Sequence, residues 1–85
     1  MKITIVFGKL PPNVMGMCNY NTKVITIDLA KDQRSPGMVL IHELTHLHYP
    51  WMEEDEVIAR SWFQWHNMNR NDRLELLRQL FRRAR

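Results

Sequence analysis

Leu40-Ile41-His42-Glu43-Leu44-Thr45-His46-Leu47-His48-Tyr49-Pro50 is the segment around which the rest of this 85-residue chain can be placed. His42 and His46 are four residues apart, so on a helix their imidazoles stand one above the other on a single face. Two imidazoles at that spacing can hold one Zn²⁺, while the carboxylate of Glu43 reaches water on the metal. The surrounding leucines and isoleucine make a surface that a small domain buries. An unliganded pair of histidines and a glutamate on such a face would be costly.

Working outward, Ser35-Pro36 reads as a helix start, with serine as N-cap and proline at the first helical position. Pro50 disfavours helical geometry at Tyr49. The metal helix therefore occupies segment 36–49 and ends at Tyr49 or just before it. Upstream, residues 1–29 read as strands. Lys2 to Phe7 is rich in β-branched residues, Met15 to Tyr20 is a weaker strand, and Lys23 to Leu29 alternates with a period of two. Asn21-Thr22 suits a hairpin tip, so 15–29 is expected to form an antiparallel hairpin. Gly8 to Asn13, with Pro11-Pro12, is a turn or extended loop.

Downstream, segment 53–66 is a second helix with an acidic first turn, which suits a helix N-terminus. Val57, Ile58, Ser61, Trp62 and Trp65 form its apolar stripe. Segment 72–84 is a basic C-terminal helix, capped by Asn71 or Asp72, with Leu74, Leu77, Leu80, Phe81 and Ala84 as its packing face. The fold class expected is α+β in one minimal domain over 1–85. A short antiparallel or mixed three-stranded sheet packs on a zinc-binding helix followed by two further helices.

Composition narrows the function classes. A chain this short buries only roughly 60–65% of its unfolded surface, and a bound metal would add stability. Cys18 is the only cysteine, so no disulfide forms within the chain; this favours a cytoplasmic location. No apolar run is long enough to cross a bilayer, and the N-terminal segment does not read as a signal peptide. The net charge of +3 is unevenly spread. Glu53, Glu54, Asp55 and Glu56 are consecutive, whereas Arg70, Arg73, Arg78, Arg82, Arg83 and Arg85 crowd the last segment. A basic tail is compatible with nucleic acid, but a solvated helix face is the favoured reading.

Two histidines do not complete a zinc site, because a catalytic zinc takes three protein ligands and one open position. A third histidine six residues beyond His46 is excluded, since Met52 stands there, and Tyr49 replaces the glycine such motifs carry. A carboxylate from the next helix remains. Glu56 is the expected third ligand, on the face marked by Ala59, with Glu53 one turn earlier as its competitor. Glu54 and Asp55 are expected to face solvent. Glu43 is the expected general base. His48 and Tyr49, just past the metal helix, are candidate catalytic donors to a developing oxyanion. Asn19 and Tyr20 are placed on an edge strand able to pair with an extended peptide. Trp51, Trp62 and Trp65 read as core or cleft-rim residues.

His42-Glu43-Leu44-Thr45-His46 followed by Glu56-x-x-Ala59 resembles the glutamate-zincin (gluzincin) metallopeptidases. The likeness is strongest to their small bacterial and phage-borne members, including minimal-scaffold zinc peptidases and peptidases that cleave phage repressors. The resemblance implies a short twisted sheet, a metal helix and a following helix that donates the glutamate. It implies His42, His46 and Glu56 as zinc ligands, Glu43 as general base, and Met17, Cys18, Asn19 and Tyr20 as the substrate-binding strand. The chain departs from that pattern in its Pro11-Pro12 loop, where relatives carry a helix. It departs again at Arg60, where repressor-cleaving relatives often have asparagine. The function expected is a zinc-dependent endopeptidase acting on a peptide or protein. The alternative is a small zinc-stabilised interaction protein that binds an acidic protein or nucleic acid through its arginines. A homodimer would cover leftover apolar surface.

Overall fold

The computed structural model describes residues 2–30 and 36–83, the side chain of Arg83 excepted. It is an α+β fold of three strands followed by three helices. The strands are β1 (Thr4–Phe7), β2 (Gly16–Asn19) and β3 (Val24–Ile27); the helices are α1 (Pro36–His48), α2 (Glu54–Asn67) and α3 (Arg70–Arg83). The strand order is β1-β3-β2. β2 and β3 form the expected antiparallel hairpin, and β1 runs parallel to β3, so the sheet is mixed.

Period-two alternation decides which face is buried. Ile5 lies opposite Ile25 and Phe7 opposite Ile27, while Gly16 and Cys18 pair with Ile27 and Ile25. These six residues share the face that meets the helices. Ile5, Ile25 and Ile27 join Val39, Leu40, Leu47 and Leu80 in one core cluster. α1 packs on β2 and β3, α3 packs on β1, and α2 packs on α1.

Two turns fix the loops that matter for the site. Val14 N–H donates to Pro11 C=O, and Asn13 has φ 65°, so Pro12-Asn13 occupies the corner of a turn that needs a left-handed third residue. The buried Asp28 accepts hydrogen bonds from the backbone N–H groups of Leu10 and Ala30 and ties this loop to the end of β3. At the hairpin tip the Asn19 side chain accepts from the N–H groups of Asn21 and Thr22. Asn19 is thus occupied in shaping the turn.

The Ser35 cap falls outside the described residues. At the other end, Tyr49 N–H makes the last helical bond of α1, to Thr45 C=O, and Met52 N–H turns back to Tyr49 C=O. That tight turn at Pro50 sends α2 back alongside α1. Gly37 seals the far end of the pair: a Cβ there would lie 2.7 Å from the Trp65 ring and 3.2 Å from Leu77.

α3 begins earlier than expected. Asn69, not Asn71 or Asp72, caps it, its side chain accepting from Asp72 N–H at 2.8 Å. Leu80 is fully buried and Leu77 packs against the core, but Leu74 and Phe81 are about half exposed, at 48% and 53%. Phe81 still touches Phe7, with ring centroids 5.5 Å apart. Ala84 lies outside the described residues. Trp65 is buried, whereas Trp51 and Trp62 are exposed. No helix among the described residues is long and apolar enough to cross a membrane.

Candidate metal centre

α1 is buried along most of its circumference, with Val39, Leu40 and Leu47 in the core and His42 and Glu43 also buried. The two histidines stand one turn apart as their spacing requires, ring centroids 4.9 Å apart and Nε2 atoms separated by 3.2 Å. Facing them is a single carboxylate, that of Glu54. Its Oε1 lies 2.9 Å from His42 Nε2 and its Oε2 2.9 Å from His46 Nε2. Among the described residues this trio is the one group of histidine, cysteine and acidic side chains whose ligand atoms converge for a metal, all within 4.8 Å of one another.

The acidic residue that the structure brings to the two histidines is Glu54, where Glu56 or Glu53 was expected; its side chain is largely exposed but its carboxylate faces both rings. The reason lies in the phase of α2. Its buried residues are Val57, Ser61 and Trp65, and Ala59 is exposed. At 100° per residue Glu54, three residues before Val57, falls within the arc that Val57, Ser61 and Trp65 span. Glu56 is about 200° further round the helix at 3.6 residues per turn, and it is exposed. Glu53 is the N-cap residue, with extended backbone (φ −71°, ψ 157°). Ser61, a small residue on the buried face of α2, donates its hydroxyl to Ile58 C=O at 3.1 Å.

The donor set suits Zn²⁺: two imidazole nitrogens and one carboxylate, the third member coming from a following helix. Tetrahedral ligands at ~2.1 Å from zinc stand about 3.4 Å apart; the two Nε2 atoms are 3.2 Å apart and each lies 2.9 Å from a different oxygen of the Glu54 carboxylate, so the three donors are close enough to share one ion. One divalent cation satisfies all three donors.

Glu43 faces the same space. A cavity of about 210 Å³ is lined by Asn13, Val14, Met15, Gly16, Val39, His42, Glu43 and Glu54. β2 comes unusually close to α1 here. A Cβ on Gly16 would lie 2.5 Å from Val39 Cγ1, 3.2 Å from Glu43 Cγ and 3.3 Å from Glu43 Oε2. Only glycine lets the strand rest against the glutamate in this way. Two residues along the same strand face, burial, followed by the Glu43 carboxylate, pushes the Cys18 thiol up to about 11. Tyr20 is raised too, by burial first and then by Cys18.

The expected substrate-strand residues divide between the two faces of β2. Cys18 points to the helix side, and Met17 is exposed on the other. Tyr20 lies just beyond the strand and is exposed. His48 and Tyr49 are not brought to the metal group. They line a separate groove with Ile41, Leu44, Thr45, Arg60 and Gln64. There the Arg60 guanidinium stacks over the Tyr49 ring at 4.4 Å and donates to its hydroxyl at 2.9 Å. The hydroxyl oxygen accepts in that bond and keeps its own proton to donate, but in this groove and not at the metal group. His66 packs against Trp62 near the end of α2, ring centroids 4.3 Å apart, and is not part of the converging group. Asn13 and Gly16 were not singled out by the sequence. Their only signal was the Pro-Pro-Asn turn and a glycine at the start of a strand.

Comparison of the chain with protein-family models, with curated proteins and with solved structures gives no match.

Proposed function

We propose that the chain is a zinc-dependent peptidase of minimal, glutamate-zincin-like build, with His42, His46 and Glu54 holding the metal and Glu43 acting as general base. The observation that carries this reading is the convergence of both His Nε2 atoms on one Glu54 carboxylate beside a cavity that Glu43 also lines. Three protein donors leave a tetrahedral ion one further position, the arrangement of catalytic zinc sites.

Zinc bound there would lower the pKa of a coordinated water and polarise a substrate carbonyl. The chain's own residues do the rest. Glu43 accepts the water proton on its carboxylate as attack proceeds and delivers it to the leaving amine. β2 is the outer strand of the sheet on the site's side, so an extended peptide can pair with its free edge and lie across the cavity. Asn13, on the cavity wall, offers an amide side chain to orient a carbonyl.

The test is digestion of an unstructured protein such as casein by zinc-loaded chain, with products read by mass spectrometry. Cleavage that disappears on chelation and in Glu43→Gln, while Glu43→Gln keeps its zinc, is the expected result. Equal background in wild type and Glu43→Gln at full zinc occupancy would leave a metal site without a peptidase.

A second reading rests on the exposed Trp62, Phe63, Leu74 and Phe81. On that reading the zinc group is structural and the helices bind a partner, another copy of the chain or an acidic molecule. Sedimentation at micromolar concentration and binding to DNA at low salt separate these outcomes.

A further inference from the structure

Glu54 is the first residue of α2, and Glu53 before it makes no side-chain capping bond. The place of the Glu54 carboxylate therefore depends on how α2 as a whole is rolled on α1. Val57, Ser61 and Trp65 form the buried seam of α2, with the Trp65 ring against Gly37. At 100° per residue that seam is about 80° wide, and a narrow seam opposes roll only weakly. A contact outside it opposes roll directly. Arg60 lies about 60° beyond Val57, on the side away from Trp65, and about 120° round the helix from Glu54. Its guanidinium donates to the Tyr49 hydroxyl at 2.9 Å and stacks over the Tyr49 ring at 4.4 Å. The far side of this anchor is firm. Tyr49 N–H bonds Thr45 C=O, its own C=O accepts from Met52 N–H, and its ring meets that of Trp51 edge-on at 5.6 Å. Tyr49 follows His46 by three residues, so the clasp ties α2 to the same end of α1 that carries the second histidine.

We infer that Arg60 and Tyr49 are positioning residues for the metal centre: their clasp sets the roll of α2 and so carries the Glu54 carboxylate to His42 and His46. A side-chain tip about 5–6 Å from the helix axis moves about 1 Å for ~10° of roll, which exceeds the ~0.5 Å within which a working site is held. Both residues line the groove of about 380 Å³ that is separate from the metal cavity, and neither joins the converging donors. They act through Glu54. The effect on zinc affinity rests on the metal reading proposed above; the effect on Glu54 itself does not, and neither depends on peptidase activity.

Two measurements on the full chain separate these claims. The first is the zinc Kd, by competition with a chromophoric chelator, at a temperature well below the zinc-free Tm of every variant. Arg60→Ala is expected to weaken binding about tenfold, the lower figure for a group that acts through a ligand. Tyr49→Phe, which keeps the ring and loses only the hydroxyl bond, is expected to weaken it less. In a Glu54→Ala background, Arg60→Ala should change Kd no further. A lowered Tm with unchanged Kd in Arg60→Ala would make the clasp a structural contact alone and overturn the inference, as would an undiminished effect of Arg60→Ala in the Glu54→Ala background. The second measurement needs no metal. Proton NOEs between the His42 and His46 rings and the Glu54 side chain are compared in zinc-free wild type and Arg60→Ala. Their loss in Arg60→Ala, with the Trp65–Gly37 NOEs kept, is the expected result. Equal ring-to-Glu54 NOEs in both proteins overturn the positioning role. If wild type binds no zinc, the metal reading fails, and the NOE comparison still decides whether the clasp places Glu54.

Discussion

Replacing Glu54 by alanine should uncouple zinc from folding, whereas replacing Glu56 should not. A ligand that binds only the folded state stabilises it by RT ln(1 + [L]/Kd), about 2.7 kcal/mol at ~100 times Kd. For a domain of this size each kcal/mol moves the melting temperature by roughly 4–8 °C. Zinc at that excess is therefore expected to raise the wild-type Tm by roughly 10–20 °C. Loss of a partner one shell outside a metal costs ~10–100-fold in affinity, so loss of a direct ligand costs at least the upper figure. At the same zinc concentration Glu54→Ala then retains about 0.4 kcal/mol of coupling, or about 2–3 °C. Glu56, exposed on the far side of α2, keeps the full shift when replaced. Without metal, the Glu54 side chain is 58% exposed, and removing such a contact is worth only ~0–1 kcal/mol. The zinc-free melt of Glu54→Ala should then lie at most roughly 4–8 °C below wild type, so each variant's zinc shift is read against its own zinc-free melt. Thermal unfolding followed by circular dichroism, with and without zinc, reads every term. Loss of the zinc shift in Glu56→Ala with its retention in Glu54→Ala would refute the placement of α2 against α1.

Gly16→Ala drives a Cβ to 2.5 Å from Val39 Cγ1; valine has few alternative rotamers, so a loss of ~1–3 kcal/mol is expected, and an unchanged urea midpoint would mean that β2 does not press on α1. Leu80→Ala, at a fully buried position, should cost ~2–5 kcal/mol; a value below 1 kcal/mol would show that α3 is not docked on the sheet. The Cys18 thiol, raised in the folded chain to about 11 from 9.0, makes stability fall at high pH. Its contribution is complete below about 9 and is lost as pH rises toward about 11, because the unfolded chain ionises first. Denaturant unfolding at pH 8 and 10.5 should show a smaller loss in Cys18→Ser than in wild type, and equal losses would contradict a protected thiol.

Much of this arrangement was written locally. The one-turn spacing of His42 and His46, the proline stop after Tyr49, and the period-two pattern of Val24 to Ile27 each follow from backbone geometry over a few residues. The parallel pairing of β1 with β3 is a long-range choice with no local signature. The carboxylate that meets the two histidines was legible in part. The stripe Val57, Ser61, Trp65 points straight back to Glu54, but Ala59 suggested a closer face than Ser61, and a shift of two residues in helical phase moves a carboxylate to the other side. His48 and Tyr49 looked catalytic by nearness in sequence. The tight turn at Pro50 instead turns Tyr49 toward Arg60 on α2. The Gly16 approach to Glu43 depends on how strand and helix meet, which no short window of sequence encodes.

The most direct measurement is anomalous diffraction at the zinc edge from crystals grown with zinc. A single peak bonded to His42 Nε2, His46 Nε2 and the Glu54 carboxylate, with a non-protein oxygen completing the tetrahedron on the side of Glu43, is the expected result. A peak ligated by Glu56 or Glu53, or a tetrahedron closed by a fourth protein ligand, would contradict an open catalytic site at this position.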